Sequence, residues 1–277
     1  MAMTASLSKH VTDNLPTTSA LAGRLLIYQP TREPTAKTGE WITTPWGRAR
    51  VKGRLGQRHA DVMEIMQRTS MQVFRAEDGR AYMLVDPYIV RRALASPNQK
   101  PQSKKRSPKG AGVALYSAQG LDALIDDLRN ADVEWETKGG EGGGVTKIIQ
   151  TKEWAKVSAR DPLNPDKDRR LWRITLSSQW AALMGSLGLW YDPTSIVHMD
   201  HAASQAVARL LLGHDRKKWH RHRYPLNAVF DHLQIPHGQP RWDAKRRIRQ
   251  DAERFAEYGL GIDGDQIVDT SDTGTSV

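Results

Sequence analysis

Between Arg241 and Tyr258, apolar residues recur at Ala244, Ile248, Ala252 and Phe255, while Arg246, Arg247, Arg249, Gln250 and Arg254 fall on the other side. That spacing is the 3.6-residue period of an α-helix with one inward stripe. Such a stripe needs a core to face, and the residues before it supply one. Ser195 to Met199 reads as extended, and Asp200 caps a helix to Gly213 that turns Ala203, Ala206, Val207, Leu210 and Leu211 inward. Pro225 to Leu233 is a short second helix. After the long third helix, Gly259, Gly261 and Gly264 punctuate a turn before a strand at Gln266 to Val268.

The same order is legible upstream without repetition of the sequence. Arg48 to Lys52 reads as a short strand, and Gln57 to Arg68 carries Val62, Ile65 and Met66 at helical spacing. Arg80 to Val85 is extended. Asp86 and Pro87 supply an N-cap and a first-turn proline for a short helix through Leu94. Ser117 caps a helix whose apolar face is Leu121, Leu124, Ile125 and Leu128. Val133 to Thr137 and Val145 to Gln150 flank a glycine-rich tip and read as a β-hairpin. Trp172, Ile174 and Leu176 alternate as a strand, and Ser178 to Leu187 is a short closing helix. Helix, short helix, helix and hairpin, met twice, predict an α+β fold of two tandem winged-helix (helix-turn-helix) domains. The expected division is a mostly disordered tail over 1–40, a first domain over 41–190, a second over 191–268, and a disordered end over 269–277. Leu25 to Ile27 could dock as a short peptide or pack on the domain surface.

Length and composition agree with two packed cores, since 277 residues are 39% apolar and include nine Trp. Cysteine is absent, which excludes disulfides, cysteine nucleophiles and thiolate zinc sites together and fits a reducing compartment. No apolar run approaches a membrane span and the N-terminus has no signal-peptide pattern, so the expected location is the bacterial cytoplasm, with no membrane partner.

The formal charge of +10 suits a phosphate-rich partner, and its distribution is more informative. Residues 201–260 hold twelve Lys or Arg against six Asp or Glu. Lys100, Lys104, Lys105, Arg106 and Lys109 crowd a Pro/Ser/Gly-rich loop over 95–112. In the third helix Arg241, Lys245, Arg246, Arg247 and Arg249 stand against Asp243 in the first three turns, whereas a solvated face normally mixes signs as intrahelical pairs. A major groove accepts such a helix, where Arg bonds guanine bidentately and Gln bonds adenine. Arg246, Arg247, Arg249 and Gln250 are therefore the expected base-reading residues of a double-stranded DNA interface. Arg216, Lys217, Lys218, Arg221, Arg223, Arg241, Lys245 and Arg254, with Lys104, Lys105 and Arg106, are expected on backbone phosphates. The equivalent helix of the first half turns Asp122, Asp126 and Asp127 outward, which phosphates would repel, so those three are expected at a protein interface instead.

Seven of nine histidines lie between His198 and His237, and His220-Arg221-His222 with Tyr224 loosely resembles the metal motif and nucleophile of rolling-circle initiators. Arg221 would add positive charge beside a cation, and the segment reads as a connection, so a nicking enzyme using Tyr224 ranks behind a non-enzymatic reading. Gly139 to Gly144 lacks the Lys and Ser/Thr of a phosphate-binding loop, and no paired carboxylates fall in a recognisable cleft. No catalytic residue, metal or cofactor is expected.

With these elements placed, residues 40–268 resemble the TrfA-type and RepC-type plasmid replication initiators. The resemblance is carried by the Asp86-Pro87-Tyr88 helix start after Tyr82-Met83-Leu84-Val85, and by the strand ending in Leu171-Trp172-Arg173-Ile174-Thr175-Leu176. It is carried also by the order of Asp200-capped helix, basic connection, short helix and Arg-rich helix ending at Tyr258-Gly259-Leu260. It implies an initiator whose monomers bind direct repeats (iterons) at a plasmid origin, promote opening, and recruit the host replicative helicase and initiator proteins. It also implies monomer–dimer self-association through the first domain. The loop at 95–112, and an N-terminal segment without a recruitment motif, depart from that pattern. A transcriptional repressor built on the same fold is the alternative, because a winged helix does not by itself separate repression from initiation.

Overall fold

The computed structural model describes residues 15–95, 115–140, 142–161, 164–214 and 223–270. The chain enters through β1 (Thr18–Ser19) and α1 (Ala20–Arg24), where the Ser19 hydroxyl caps the helix by accepting from the Leu21 N–H. Leu15, Leu21, Leu25 and Ile27 are buried in a first core, and Leu26, held at a φ of 55°, turns into a second. Residues 15–28 are thus built into both cores, which corrects the expected tail over that stretch. Gly23 allows it, since a Cβ there would lie 3.3 Å from the Arg209 carbonyl oxygen.

Around the first core stand two antiparallel sheets with helices packed on them. β2 (Lys37–Thr38), β3 (Ile42–Thr44), β4 (Gly47–Gly53), β7 (Asp132–Thr137) and β8 (Gly143–Lys147) form one sheet, in the order β2-β4-β7-β8 with β3 also on β4. Ala49 and Val51 face the core opposite Trp135 and Val133, while Arg48 and Arg50 pair across the strands with Glu136 and Glu134. β5 (Gln72–Arg75), β6 (Ala81–Val85), β9 (Ile149–Asp161) and β10 (Asn164–Leu176) form the other sheet, in the order β5-β6-β10-β9. The hairpin expected to end at Gln150 stops at Lys147. Ile148 and Ile149 are fully buried at the crossing into the second sheet, where Ile149 pairs with Leu176. β9 and β10 then run past β6 as a two-stranded ribbon, because β6 meets only Trp172 to Leu176 of β10.

α2 (Gln57–Thr69), α3 (Pro87–Ala93) and α4 (Ala118–Asn130) cover these sheets. The caps expected from sequence are made: the Asp86 carboxylate accepts from the Tyr88 N–H at 2.9 Å, and the Ser117 hydroxyl accepts from the Gly120 N–H at 3.2 Å. α5 (Ser178–Ser186) follows β10, and β11 (Gly188–Leu189) pairs with β1.

The second half holds α6 (Thr194–Val197), α7 (Ala202–Leu212), β12 (Tyr224–Pro225), α8 (Leu226–His232), α9 (Gln239–Gln250), α10 (Ala252–Ala256), β13 (Leu260–Asp263) and β14 (Gln266–Asp269). Of the stretch expected to be extended at 195–199, Ser195 to Val197 are helical, and α7 begins after His201 without a side-chain cap. Asp200 instead donates its N–H to Asp251 Oδ1 at 2.9 Å. Ala206, Val207, Leu210, Leu211, Phe230, Ile248, Phe255 and Ile267 fill the second core. β13 and β14 form a hairpin, with β12 on the outer edge of β14.

Between the cores lies a buried polar cluster. α2 buries not only Val62, Ile65 and Met66 but also Gln57, Asp61 and Glu64, which face α7. Arg209 donates to Glu64 Oε1 at 2.8 Å, Asp61 Oδ1 at 2.7 Å and Gln57 Oε1 at 2.7 Å. Gln205 donates to Asp61 and to the Ile196 carbonyl, and Tyr191 donates to Glu64 at 2.8 Å. Burial, reinforced by Glu64, pushes the Tyr191 hydroxyl well above its ordinary pKa. Nearby, Trp46 of the β3–β4 turn meets the rings of His214 and His232 edge-on.

Candidate nucleic-acid interface

α9 starts where Gly238 takes a φ of 80° and Pro240 occupies the first turn, two residues ahead of the expected start. Ala244 and Ile248 are buried beneath it as the periodicity predicts. The expected run to Tyr258 is broken after Gln250, where buried Asp251 accepts from Asp200 and α10 begins at Ala252. Phe255 reaches the core from α10.

The structure divides the cations of α9. Arg241 is 8% exposed and donates to the Ile235 carbonyl at 2.9 Å and to Asp231 at 2.5 Å, so it braces the α8–α9 connection. A phosphate contact by Arg241 is accordingly corrected to a structural one. Lys245 and Arg249 both reach Asp265 in the β13–β14 turn, at 2.6 and 3.0 Å, and Arg249 also donates to the Gly264 carbonyl. These bonds, above all that from Lys245, hold the exposed Asp265 carboxyl below the usual carboxylate range. Arg223 pairs with Asp263 at 2.6 Å. Arg246 lies over the Trp242 ring, 5.3 Å from its centroid, with Asp243 at 3.3 Å. Gln250 shares a 2.9 Å hydrogen bond with His201. Arg247 is exposed and makes no ion pair among the described residues, and Arg254 is half-buried. Four reading candidates therefore share one helix, but Arg246 and Arg247 stand forward while Arg249 and Gln250 are engaged within the fold. Arg216, Lys217, Lys218 and Arg221, like Lys104, Lys105 and Arg106, lie outside the described residues.

On α4, Asp122 pairs with Lys152, Asp126 with Arg129 at 3.2 Å, and Asp127 with both Arg54 and His59 at 3.3 Å. His59 Nδ1 accepts the Gly56 N–H, so Nε2 carries the proton that is given to Asp127. Burial lowers the His59 pKa, against the opposing pull of Asp127. Each of the three acids is thus engaged within the chain. Tyr224 lies in β12 opposite Ile267, its ring edge-on to His214, and burial raises its hydroxyl pKa. Among the described residues no three His, Asp or Glu side chains are grouped as metal ligands, and no helix is long and apolar enough to cross a membrane.

Sequence reasoning missed Trp242, His201 and the acids of the β13–β14 turn. Asp263-Gly264-Asp265 carried a signal, since Asp-Gly between alternating apolar residues marks a hairpin turn.

No protein-family model matches the chain, and no curated protein matches it. Solved structures do. Residues 155–483 of RctB, spanning its domains 2 and 3, superpose with a TM-score of 0.50 at 10% identity, covering 90% of this chain and 94% of that one. A selenomethionine structure of the same two RctB domains gives 0.50 at 13% identity, covering 92% and 90%. At these identities the likeness is one of fold: mixed helices and antiparallel sheets in the same overall arrangement.

Proposed function

We propose that the chain is a non-enzymatic replication initiator that binds double-stranded DNA at an origin through its second half. The observation that carries this reading is α9, a helix docked by Ala244 and Ile248 whose outer side holds Arg246, Arg247 and Arg249. The fold likeness to domains 2 and 3 of RctB, over nine tenths of this chain, accompanies this reading. In finer detail, α2, α3 and α4 followed by β7–β8, and α7, α8 and α9 followed by β13–β14, are two winged helices. The second reads repeated sites at a plasmid origin. The first serves self-association and the host helicase and initiator contacts. Arg246 and Arg247 read bases, with Arg223 and Arg254 on phosphates.

Footprinting on the DNA flanking the coding region, at two salt concentrations with random competitor, tests this directly. Tandem direct repeats beside an AT-rich stretch are expected to be protected, with specific binding about 10³-fold or more over random DNA. Arg247→Ala should weaken that binding by about 1 to 3 kcal/mol. Protection of a single palindrome over the promoter would make the protein a repressor, and no protection would remove the DNA reading.

A further inference from the structure

We propose that Trp242 is a specificity-determining DNA contact: its indole meets the C5-methyl of a thymine and positions Arg246 for the neighbouring base pair. The proposal rests on the reading of α9 given above. Trp242 stands in the first turn of α9 and is 57% exposed, a large apolar side chain left in water on the helix that carries the outward cations. One turn on, the Arg246 guanidinium is stacked 5.3 Å from the ring centroid, and Asp243 holds it from the side at 3.3 Å. A stacked guanidinium keeps its donors in plane and loses less freedom when it bonds a base edge.

Other polar groups of the helix are committed to different elements: Arg241 to Asp231, Lys245 and Arg249 to Asp265, and Gln250 to His201. What the helix holds forward is Trp242 with Arg246 and Arg247. An exposed indole with a cation stacked on it is poorly suited to a dry protein contact and well suited to a polyanion with an apolar group in its groove. The major groove has one such group, the thymine methyl, and it presents guanine O6 and N7 to an arginine.

The test uses the full-length protein and its footprinted site, with each thymine replaced in turn by deoxyuridine. Wild-type protein should lose about fourfold in affinity at one thymine beside the base pair that Arg246→Lys no longer discriminates, the size expected for one methyl-sized group left in water. Trp242→Ala should bind thymine and uracil sites alike at that position, and Trp242→Phe should recover part of the difference. The melting temperature of Trp242→Ala should match wild type, as its side chain is exposed. Indifference of the wild type to every uracil, or equal sensitivity in Trp242→Ala, would overturn the proposal. So would a Trp242→Ala protein that binds DNA normally but no longer self-associates. Failure of the wild type to select any site would sink the DNA reading of α9 itself, a result distinct from selective binding without methyl dependence.

Discussion

Arg209 places one positive charge between two carboxylates in a region closed to water, with Asp61 0% and Glu64 1% exposed. A buried ion cluster of this kind adds little net stability over apolar packing, but removing one partner strands the others. Arg209→Ala should cost about 3 to 5 kcal/mol in urea unfolding; a loss below about 1 kcal/mol would mean that water or a neighbour reaches the stranded acids. The histidines make a second residue-scale claim. Burial lowers the pKa of His59, His214 and His232 below the ordinary 6.5. An unfolded histidine accepts its proton near 6.5 while these folded ones resist it, so the unfolded state binds more protons below that value. Their stabilisation is complete above pH 6.5 and is lost as pH falls through 6.5 toward the folded values. Unfolding free energy should therefore drop from pH 7.5 to 5.5, and replacing His214 and His232 with Gln should flatten the profile. A wild-type profile that is level over this range would contradict the assignment.

α9 and the β13–β14 hairpin act as a pair of elements. Asp265 neutralises Lys245 and Arg249, whose side chains would otherwise be offered to phosphates. Asp265→Asn should raise affinity for random DNA and steepen its salt dependence by about one to two counterions; unchanged slope would show that the pair is already open in solution. Arg241→Ala should lower stability and leave the slope alone. The elements differ in how far they could be read beforehand. Caps and local periodicity announced α3 at Asp86-Pro87, α4 at Ser117 and the inward stripe of α9, because those signals lie within one turn of the residues they govern. The β9–β10 ribbon was read only at its ends, since its pairing spans Ile149 to Leu176 and its central residues lack strict alternation. The break at Asp251 is hidden for a related reason: its partner, Asp200, is remote in sequence and stands where a helix cap is expected. Asp265 and Arg241 take their roles from neighbours on other elements, Lys245 and Arg249 of α9 and Asp231 of α8, that only tertiary packing brings close.

At the scale of the molecule, the two cores share one polar cluster and one strip of chain. Leu26 belongs to the second core while Leu25 and Ile27 belong to the first, and among the described residues the Arg209 guanidinium bonds side chains of α2. A fragment of residues 191–270 should therefore fail to give a cooperative melt alone, and co-expression with residues 1–190 should restore it. A stable, fully helical fragment would show that the second half closes without help. The shared strip also sets a timetable for synthesis. Leu26 leaves the ribosome early, but its neighbours run from Ile196 to Ile267, so at about 5 to 20 residues per second it waits on the order of 10 to 45 s. For that interval a run of leucines and isoleucine has half of its docking site still unmade. The nascent protein is thus exposed to chaperones and to premature association at a segment that the finished molecule buries.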